Sequence, residues 1–306
     1  LQVIQSVNGT FHHFDLAREL AARGLLKRIY SSFPWHRLRR EGLARQYVRT
    51  LPWVHTAAVL GERLCKLPPK MTQNLASLDM WLFDQWVSRR IEPCDVFVGL
   101  SGSALETGRT VQRRGGRYVC DRGSSHIRYY NDILKEEYQR WGVPFQAVDA
   151  RVMEREEAEY AQADAISVPS NFARRTFLER GVPGVKVVQI PYGVRLDRFR
   201  RTAPPPTDGF EVLFAGSVCL RKGFPYLLEA FQMLRHPRKR LRLAGAVDAL
   251  SRPVLDRMDL TNVEVLGAVS QAALAECMST SHVMVLPSIE EGLALVQGQA
   301  MACGCP

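Results

Sequence analysis

Glu291 and Gln299 stand eight positions apart in PSIEEGLALVQGQAMACGCP, residues 287–306. An apolar run, HVMVL, ends at Leu286 and meets a Pro-Ser turn. A helical pattern then runs from about Leu293 to Cys303, with Gly304 and Pro306 to stop it. A strand feeding a helix through a tight glycine-containing turn leaves backbone N–H groups unpaired around Gly292, Leu293 and Ala294, with the positive end of the helix dipole behind them. Such a place suits an anion. If the segment were all helix, Glu291 and Gln299 would lie two turns or roughly 12 Å apart, far enough to grip both ends of one extended ligand. Ser288 and Glu291 also spell S-x-x-E, a capping box that needs no ligand.

A second constellation is the loop GSVCLRKG, Gly216 to Gly223, between a strand pattern and a helix pattern. Arg221 and Lys222 fall at the helix entrance, where a cation opposes the dipole by ~0.3–1 kcal/mol. An anionic ligand reverses that sign, whereas a plain surface basic pair would carry the cost. Nearer the start, Gly9 follows the first strand pattern, where a missing side chain lets a ligand approach the backbone or simply makes a turn. His12 and His13 come next, with no strong claim to a role. His126 lies in RGSSH, just beyond the strand pattern RYVCD, and by itself reads equally as a solvated loop histidine.

The closing segment resembles the signature of the family four retaining glycosyltransferases, which place two Glu residues around a seven-residue spacer before a small-residue helix ending in Gly and Pro. Glu291 matches the first Glu, and Gln299 stands in place of the second. The resemblance implies that Glu291 orients sugar hydroxyls and that Gln299 reaches the ribose. In that family the strand–helix loop runs Gly-Arg, a spacer, then Lys-Gly, and its two cations hold the donor diphosphate. Gly216, Lys222 and Gly223 match; Ser217 replaces the Arg, so Arg221 is the candidate substitute. A His in the region of His126 commonly contacts the donor sugar there. The stretch from Glu154 to Phe199 adds landmarks: a Glu-rich helix, Ala163-Asp164, Pro169-Ser170, and IPYGV with Asp197 and Phe199. A weaker match lies in NGTFHHFDLARELAARG near the start.

The expected fold follows from alternation. LQVIQS, a glycine loop, a helix from about Phe14 to Arg23 stopped by Gly24, and a strand at Leu26 to Ser31 form a βαβ unit. Further strands are expected at Asp95–Leu100, Arg117–Asp121, Ala165–Val168 and Lys186–Ile190, and a helix at Asn171–Arg180 between Ser170 and Gly181. Three prolines at 204–206 mark a stiff link. A second series then has strands at Glu211–Ala215, Leu241–Leu243, Val263–Leu266 and Val283–Leu286. Its first helix carries Phe224, Leu227, Leu228, Phe231 and Leu234 on one stripe. The sequence thus predicts an α/β protein with two Rossmann-like doubly wound domains, 1–195 and 196–306, and the resemblance implies that the first lies on the acceptor side and the second binds the nucleotide sugar. In the resembling GT-B family the two face a cleft and the chain continues past the Gly-Pro, so the second domain is expected to be incomplete.

Length and composition exclude several classes. The 306 residues are 46% hydrophobic and 24% charged, ordinary for a globular protein and enough for two domains. No apolar stretch approaches the ~20 residues that cross a bilayer, and no signal segment opens the chain. A cytoplasmic location is expected, with peripheral attachment to the inner face of the membrane left open. Seven cysteines without a C-x-x-C pair fit reduced thiols, and the histidines show no zinc-like spacing, so no metal is expected. No G-x-G-x-x-G, P-loop or Asp-x-Asp metal pair occurs, and Gly99-Leu-Ser101-Gly102-Ser103 lacks the last glycine of a nucleophile elbow. The net charge of +10 favours anionic partners. Lys27, Arg28, Arg37, Arg39, Arg40, Arg45 and Arg49 face only Glu41 in the 27–49 stretch, and they are interleaved with Tyr30, Phe33 and Trp35. That stretch reads either as an anionic-membrane contact or as a solvated arm; no nucleic-acid reader motif accompanies it. The resemblance implies a nucleotide diphosphate sugar as donor substrate, with no separate cofactor, and a carbohydrate or lipid-linked acceptor as partners.

Overall fold

The computed structural model describes residues 1–52 and 69–306. His55 and Cys65 lie outside the described residues, and the other six cysteines are free thiols. The chain divides into two compact units, residues 1–127 with 148–190, and residues 128–147 with 191–306. A single break after residue 195 was expected. The division instead falls at Ile190, and an excursion at 128–147 joins the second unit. The reason is apolar: Val143, Tyr138 and Trp141 pack into the cluster built on Val212, Phe214 and Leu227.

The first unit begins with β1 (Val3–Val7), α1 (His13–Ala22) and β2 (Leu26–Ser31), as the alternation predicts. A short α2 (Trp35–Leu38) then leads to β3 (Val48–Thr50), a strand absent from the sequence reading. β3 pairs in parallel with β2, so part of the basic stretch is sheet. After α3 (Pro69–Ser88) come β4 (Val96–Leu100), α4 (Leu105–Arg113) and β5 (Arg117–Asp121). The chain continues through α5 (Ile127–Arg140) and α6 (Ala150–Gln162) to β6 (Ala165–Val168), α7 (Asn171–Glu179) and β7 (Val187–Gln189). The seven strands run in the order β3-β2-β1-β4-β5-β6-β7, and every pair is parallel. The order reverses between β1 and β4, the switch point at whose carboxyl-end crevice ligands sit in such sheets.

Local chemistry fixes these elements. Ser170 caps α7 by accepting the Ala173 N–H at 3.1 Å, as its sequence position predicts. The N-terminus of α4 has no cap of its own, because residue 104 is alanine. Asp84 of α3 supplies one by accepting the N–H groups of Glu106 and Thr107 at 2.9 and 3.0 Å. The preceding Ser101–Ala104 turn is pinned by the fully buried Glu159 carboxylate, which accepts the Gly102 and Ala104 N–H groups at 2.5 and 2.9 Å. That turn is a bracing structure for α4.

In the second unit, β8 (Phe210–Ala215) leads to α8 (Phe224–Met233), β9 (Lys239–Ala244) and a short α9 (Arg252–Leu255). β10 (Val263–Gly267), α10 (Gln271–Ser279), β11 (Val283–Met284) and α11 (Leu295–Ala302) follow. The sheet order is β10-β9-β8-β11, all parallel. Phe224, Leu227, Leu228 and Phe231 of α8 are buried against Val212 and Phe214, and each is worth roughly 1.5–3 kcal/mol on burial. Leu234, expected on the same stripe, lies just past the helix and is exposed. Phe199 is buried with Leu213 and Ala215, so the IPYGV landmark ends in a core anchor.

Candidate functional site

The helix at the chain's end is shorter than its apolar pattern. α11 starts at Leu295, two residues after the expected Leu293, and the segment from Val285 to Ala294 is irregular. Its N-cap is Ala294, which has no capping side chain. Ser288 lies seven residues before the helix, so the capping-box reading of Ser288 and Glu291 fails. The Ser288 hydroxyl is buried with no hydrogen-bond partner among the described residues. The rise of roughly 12 Å between Glu291 and Gln299 fails with it, since residues 291–294 are not helical. At the other end Gly304, at φ +77°, and the Cys305 N–H bonded to the Ala300 carbonyl stop the helix as predicted.

Glu291 has turned to other partners. Its carboxylate meets the Lys222 ammonium and lies 3.4 Å from the Arg221 guanidinium. Arg221 also donates to the Glu290 carbonyl oxygen at 3.0 Å and lies 3.6 Å from the Glu290 carboxylate, which is fully buried. Glu290 was absent from the sequence reading; an adjacent pair of carboxylates on an irregular segment was its only signal. Two cations and two carboxylates therefore face each other, with their charges nearly balanced.

The backbone holds the two segments together. The Ile289 N–H donates to the Arg221 carbonyl oxygen at 2.9 Å. Gly223 adopts φ +69°, and a Cβ there would lie 1.9 Å from the Pro287 carbonyl oxygen, so only glycine allows this approach. Gly216 adopts φ +136° and accepts an equally close neighbour, since a Cβ on Gly245 would lie 1.8 Å from its carbonyl oxygen. The Lys222 stem passes beside Gly216, and the residue is 9% exposed. Burial, and then the Arg221 charge, lower the Lys222 amine from 10.5 to about 8, against the pull of Cys219 and Glu290.

Leu220–Lys222 form one turn of 3₁₀ helix, so Arg221 and Lys222 sit just before α8 rather than on it. Ser217 is exposed in the same loop. The N–H groups of Gly292, Leu293 and Ala294 find no acceptor among the described residues. Arg221, Lys222, Glu291 and the Gly216 loop thus form one cluster. Gln299 lies on α11, part-buried. A cavity of about 440 Å³ beside that helix is lined by Tyr192, Leu293, Ala294, Gln297, Gly298 and Met301, without Gln299.

The first unit holds the remaining candidates. Gly9 adopts φ +111°, and its carbonyl oxygen accepts the Ser31 hydroxyl at 2.6 Å, a left-handed turn that fits glycine. His126 is 3% exposed, its ring 5.1 Å from those of both Tyr160 and Phe177, and its backbone N–H donates to the Thr176 hydroxyl. It is an enclosed residue and no solvated loop histidine. The basic stretch is neither a free arm nor one face. Arg28 is paired with Glu92 at 2.8 Å, Lys27 donates to the Pro93 carbonyl, and Arg45 stacks 5.1 Å over Trp35. Arg37, Arg39 and Arg40 remain on the surface. Among the described residues no helix is long and apolar enough to cross a membrane.

A further cluster gave no signal in the sequence. Asp121, at the end of β5, lies 2.5 Å from His12 Nε2 and 3.5 Å from His13 Nε2, and accepts the Ser167 hydroxyl at 2.5 Å. Burial alone would raise the Asp121 pKa, but the His12 hydrogen bond, the two imidazoles and Ser167 outweigh it and hold it low. Burial pulls His13 down to about 4, so its imidazole is neutral. The 109 residues between His12 and Asp121 hide this contact from any spacing rule.

Comparison with known proteins bears on this geometry. Residues 209–306 match the family model of glycosyl transferases group 1. D-inositol 3-phosphate glycosyltransferase of Xylanimonas cellulosilytica is 31% identical over 142 residues, which cover 38% of this chain and 33% of that protein. The chain's matches span about a third of the length of the curated relatives. Among solved structures, sucrose-phosphate synthase of Thermosynechococcus elongatus superposes with a TM-score of 0.66 at 20% identity, covering 100% of this chain and 80% of that one. HepE of Anabaena, in complex with UDP and glucose, gives 0.62 at 13% identity, covering 100% and 79%. Residues 209–306 thus carry the sequence of the group 1 glycosyl transferases, in a chain whose two α/β units have the Rossmann-like fold of the GT-B glycosyltransferases.

Proposed function

We propose that this chain belongs to a retaining glycosyltransferase that moves a sugar from a nucleotide diphosphate donor to an acceptor hydroxyl, in polysaccharide or glycolipid synthesis. The observation that carries this reading is the clasp between the Arg221–Lys222 loop and the Glu290–Glu291 segment. Breaking the bond between sugar and diphosphate puts negative charge on the leaving group and positive charge on the ring, so preorganised cations and N–H donors at the phosphate are the main requirement. Arg221, Lys222 and the N–H groups of Gly292 to Ala294, which have no acceptor among the described residues, would supply both kinds. These cations meet the charge without a metal at the phosphate. The UDP bound to HepE supports a uridine diphosphate donor.

Glu291 has two states in this mechanism. Without donor it neutralises Lys222. When the diphosphate takes Lys222, the carboxylate is released to accept hydroxyls of the donor sugar. Gln299 would hold the ribose with one acceptor where a carboxylate has two, at a cost on the order of 1 kcal/mol. Gly9 would let a sugar or diphosphate approach the first unit's backbone. A cytoplasmic enzyme working on a lipid-linked acceptor would meet anionic lipid through Arg37, Arg39 and Arg40.

A second reading, a nucleotide-sugar binding protein without turnover, draws on Ser217 and Gln299, the two departures from the family pattern. A thermal-shift panel of UDP, GDP, ADP and their sugars assigns the donor. Transfer and donor-hydrolysis assays on the full-length chain, on Lys222→Ala and on Glu291→Ala separate the two readings. Unchanged transfer in both variants would overturn the site.

A further inference from the structure

We propose that His12, His13 and Asp121 form a binding site for a divalent transition-metal ion at the switch point of the first unit's sheet. His12 is the N-cap and His13 the first residue of α1, and Asp121 ends β5. Their candidate ligand atoms, two imidazole nitrogens and one carboxylate oxygen, all lie within 4.8 Å of one another. Metal–ligand bonds of ~2.0–2.2 Å place neighbouring donors about 3 Å apart, so closing on an ion needs only small shifts.

Two independent observations point to an ion. His13 is fully buried, and neither ring nitrogen has a hydrogen-bond partner among the described residues. An orphaned buried imidazole costs about 1–3 kcal/mol and calls for a ligand. The carboxylate is also already divided as a metal ligand requires. Ser167 donates to Asp121 Oδ1, whereas Oδ2 is the oxygen that faces both imidazoles. A hydroxyl on the non-ligating oxygen is the outer partner that orients ligating carboxylates.

The donor set selects the ion. Two imidazoles favour Zn²⁺, Co²⁺, Ni²⁺ or Fe²⁺ over Mg²⁺ and Ca²⁺, which prefer oxygen. Three protein ligands leave coordination positions open, as in sites where a metal holds water or a substrate oxygen. His12, the part-exposed ligand, gives that side access to solvent. The ion would take the place of the hydrogen bond between His12 and Asp121.

The test uses the full chain, stripped with a chelator and titrated with Co²⁺ and then Zn²⁺. A single equivalent of Co²⁺ is expected to give visible d–d bands without the thiolate charge transfer of a cysteine site, and Zn²⁺ to raise the melting temperature. His12→Gln and Asp121→Asn are expected to weaken Co²⁺ binding at least tenfold, and Ser167→Ala about 10–100-fold. Circular dichroism confirms that each variant is folded, and His12→Gln, at the part-exposed ligand, decides if Asp121→Asn does not fold. No Co²⁺ bands in the wild type, thiolate charge transfer, or unchanged binding in His12→Gln would reduce the cluster to a histidine–aspartate ion pair.

Discussion

Glu291 and Lys222 are 69 residues apart in the chain and in direct contact in the second unit. Each is the other's counter-ion, so on the proposed reading the same contact would compete with a donor diphosphate for Lys222. The competition separates binding from transfer. Glu291→Gln is expected to bind free UDP as tightly as wild type or tighter, because a competing negative charge is gone, while transfer falls. Lys222→Met is expected to lose about tenfold to a hundredfold in UDP affinity, the size of a hydrogen bond to a charged group. It should also lose about 10²–10³ in kcat. Isothermal titration and initial rates read the two effects separately. A loss of UDP binding in Glu291→Gln would contradict the competition.

Lys222 also sets a pH dependence. Burial lowers its amine from 10.5 to about 8 in the folded protein, so on the proposed reading donor affinity is expected to fall as pH rises through 8. Bound diphosphate pushes that midpoint upward. Stability moves the other way. Between 8 and 10.5 the unfolded chain holds the extra proton, so stability rises with pH across that window. Denaturant midpoints and UDP binding measured from pH 7 to 11 should therefore run in opposite directions, and Lys222→Met should flatten this component of both.

Gly223→Ala tests the clasp itself. The substitution puts a Cβ into a left-handed backbone, at ~1–2 kcal/mol, and 1.9 Å from the Pro287 carbonyl oxygen, which must move. A destabilisation of at least ~2 kcal/mol by urea denaturation is expected, together with weaker UDP binding. Gly181→Ala is the control, with φ +80° and no atom within 4 Å of the added Cβ, and carries the backbone strain alone. Equal losses in the two variants would mean that the Pro287 contact yields freely.

Gln299→Glu restores the carboxylate of the family pattern. UDP affinity is expected to stay the same or to rise several-fold, by the charge assistance of ~1 kcal/mol that a carboxamide lacks. A large calorimetric loss would remove Gln299 from the ribose position.

Charge reversal at Arg39 and Arg40 addresses the lipid surface. Both lie on a short exposed 3₁₀ turn, so the Arg39→Glu, Arg40→Glu double variant should fold as wild type. Its sedimentation with vesicles containing phosphatidylserine is expected to fall, since each basic residue near such a surface contributes about 1 kcal/mol. Equal sedimentation would leave these arginines as solvated surface.

The sequence by itself determined the alternation of strands and helices. It gave the parallel class of both sheets and most element bounds, because these depend on periodicity and on nearby caps such as Ser170 and Gly304. It also marked Arg221, Lys222 and Glu291 through a local pattern. Tertiary structure decided what those residues touch. Glu291 pairs with Lys222 instead of capping a helix because Gly223 lets the chain at Pro287 approach the loop. α11 starts late because residues 291–294 are held in that irregular segment. The 128–147 excursion joins the second unit because its apolar side chains fit that core. β3, Glu290 and the His12–His13–Asp121 cluster were invisible for one shared reason. Each is defined by partners distant in sequence, and a linear pattern records neither sheet register nor the meeting of two strand ends.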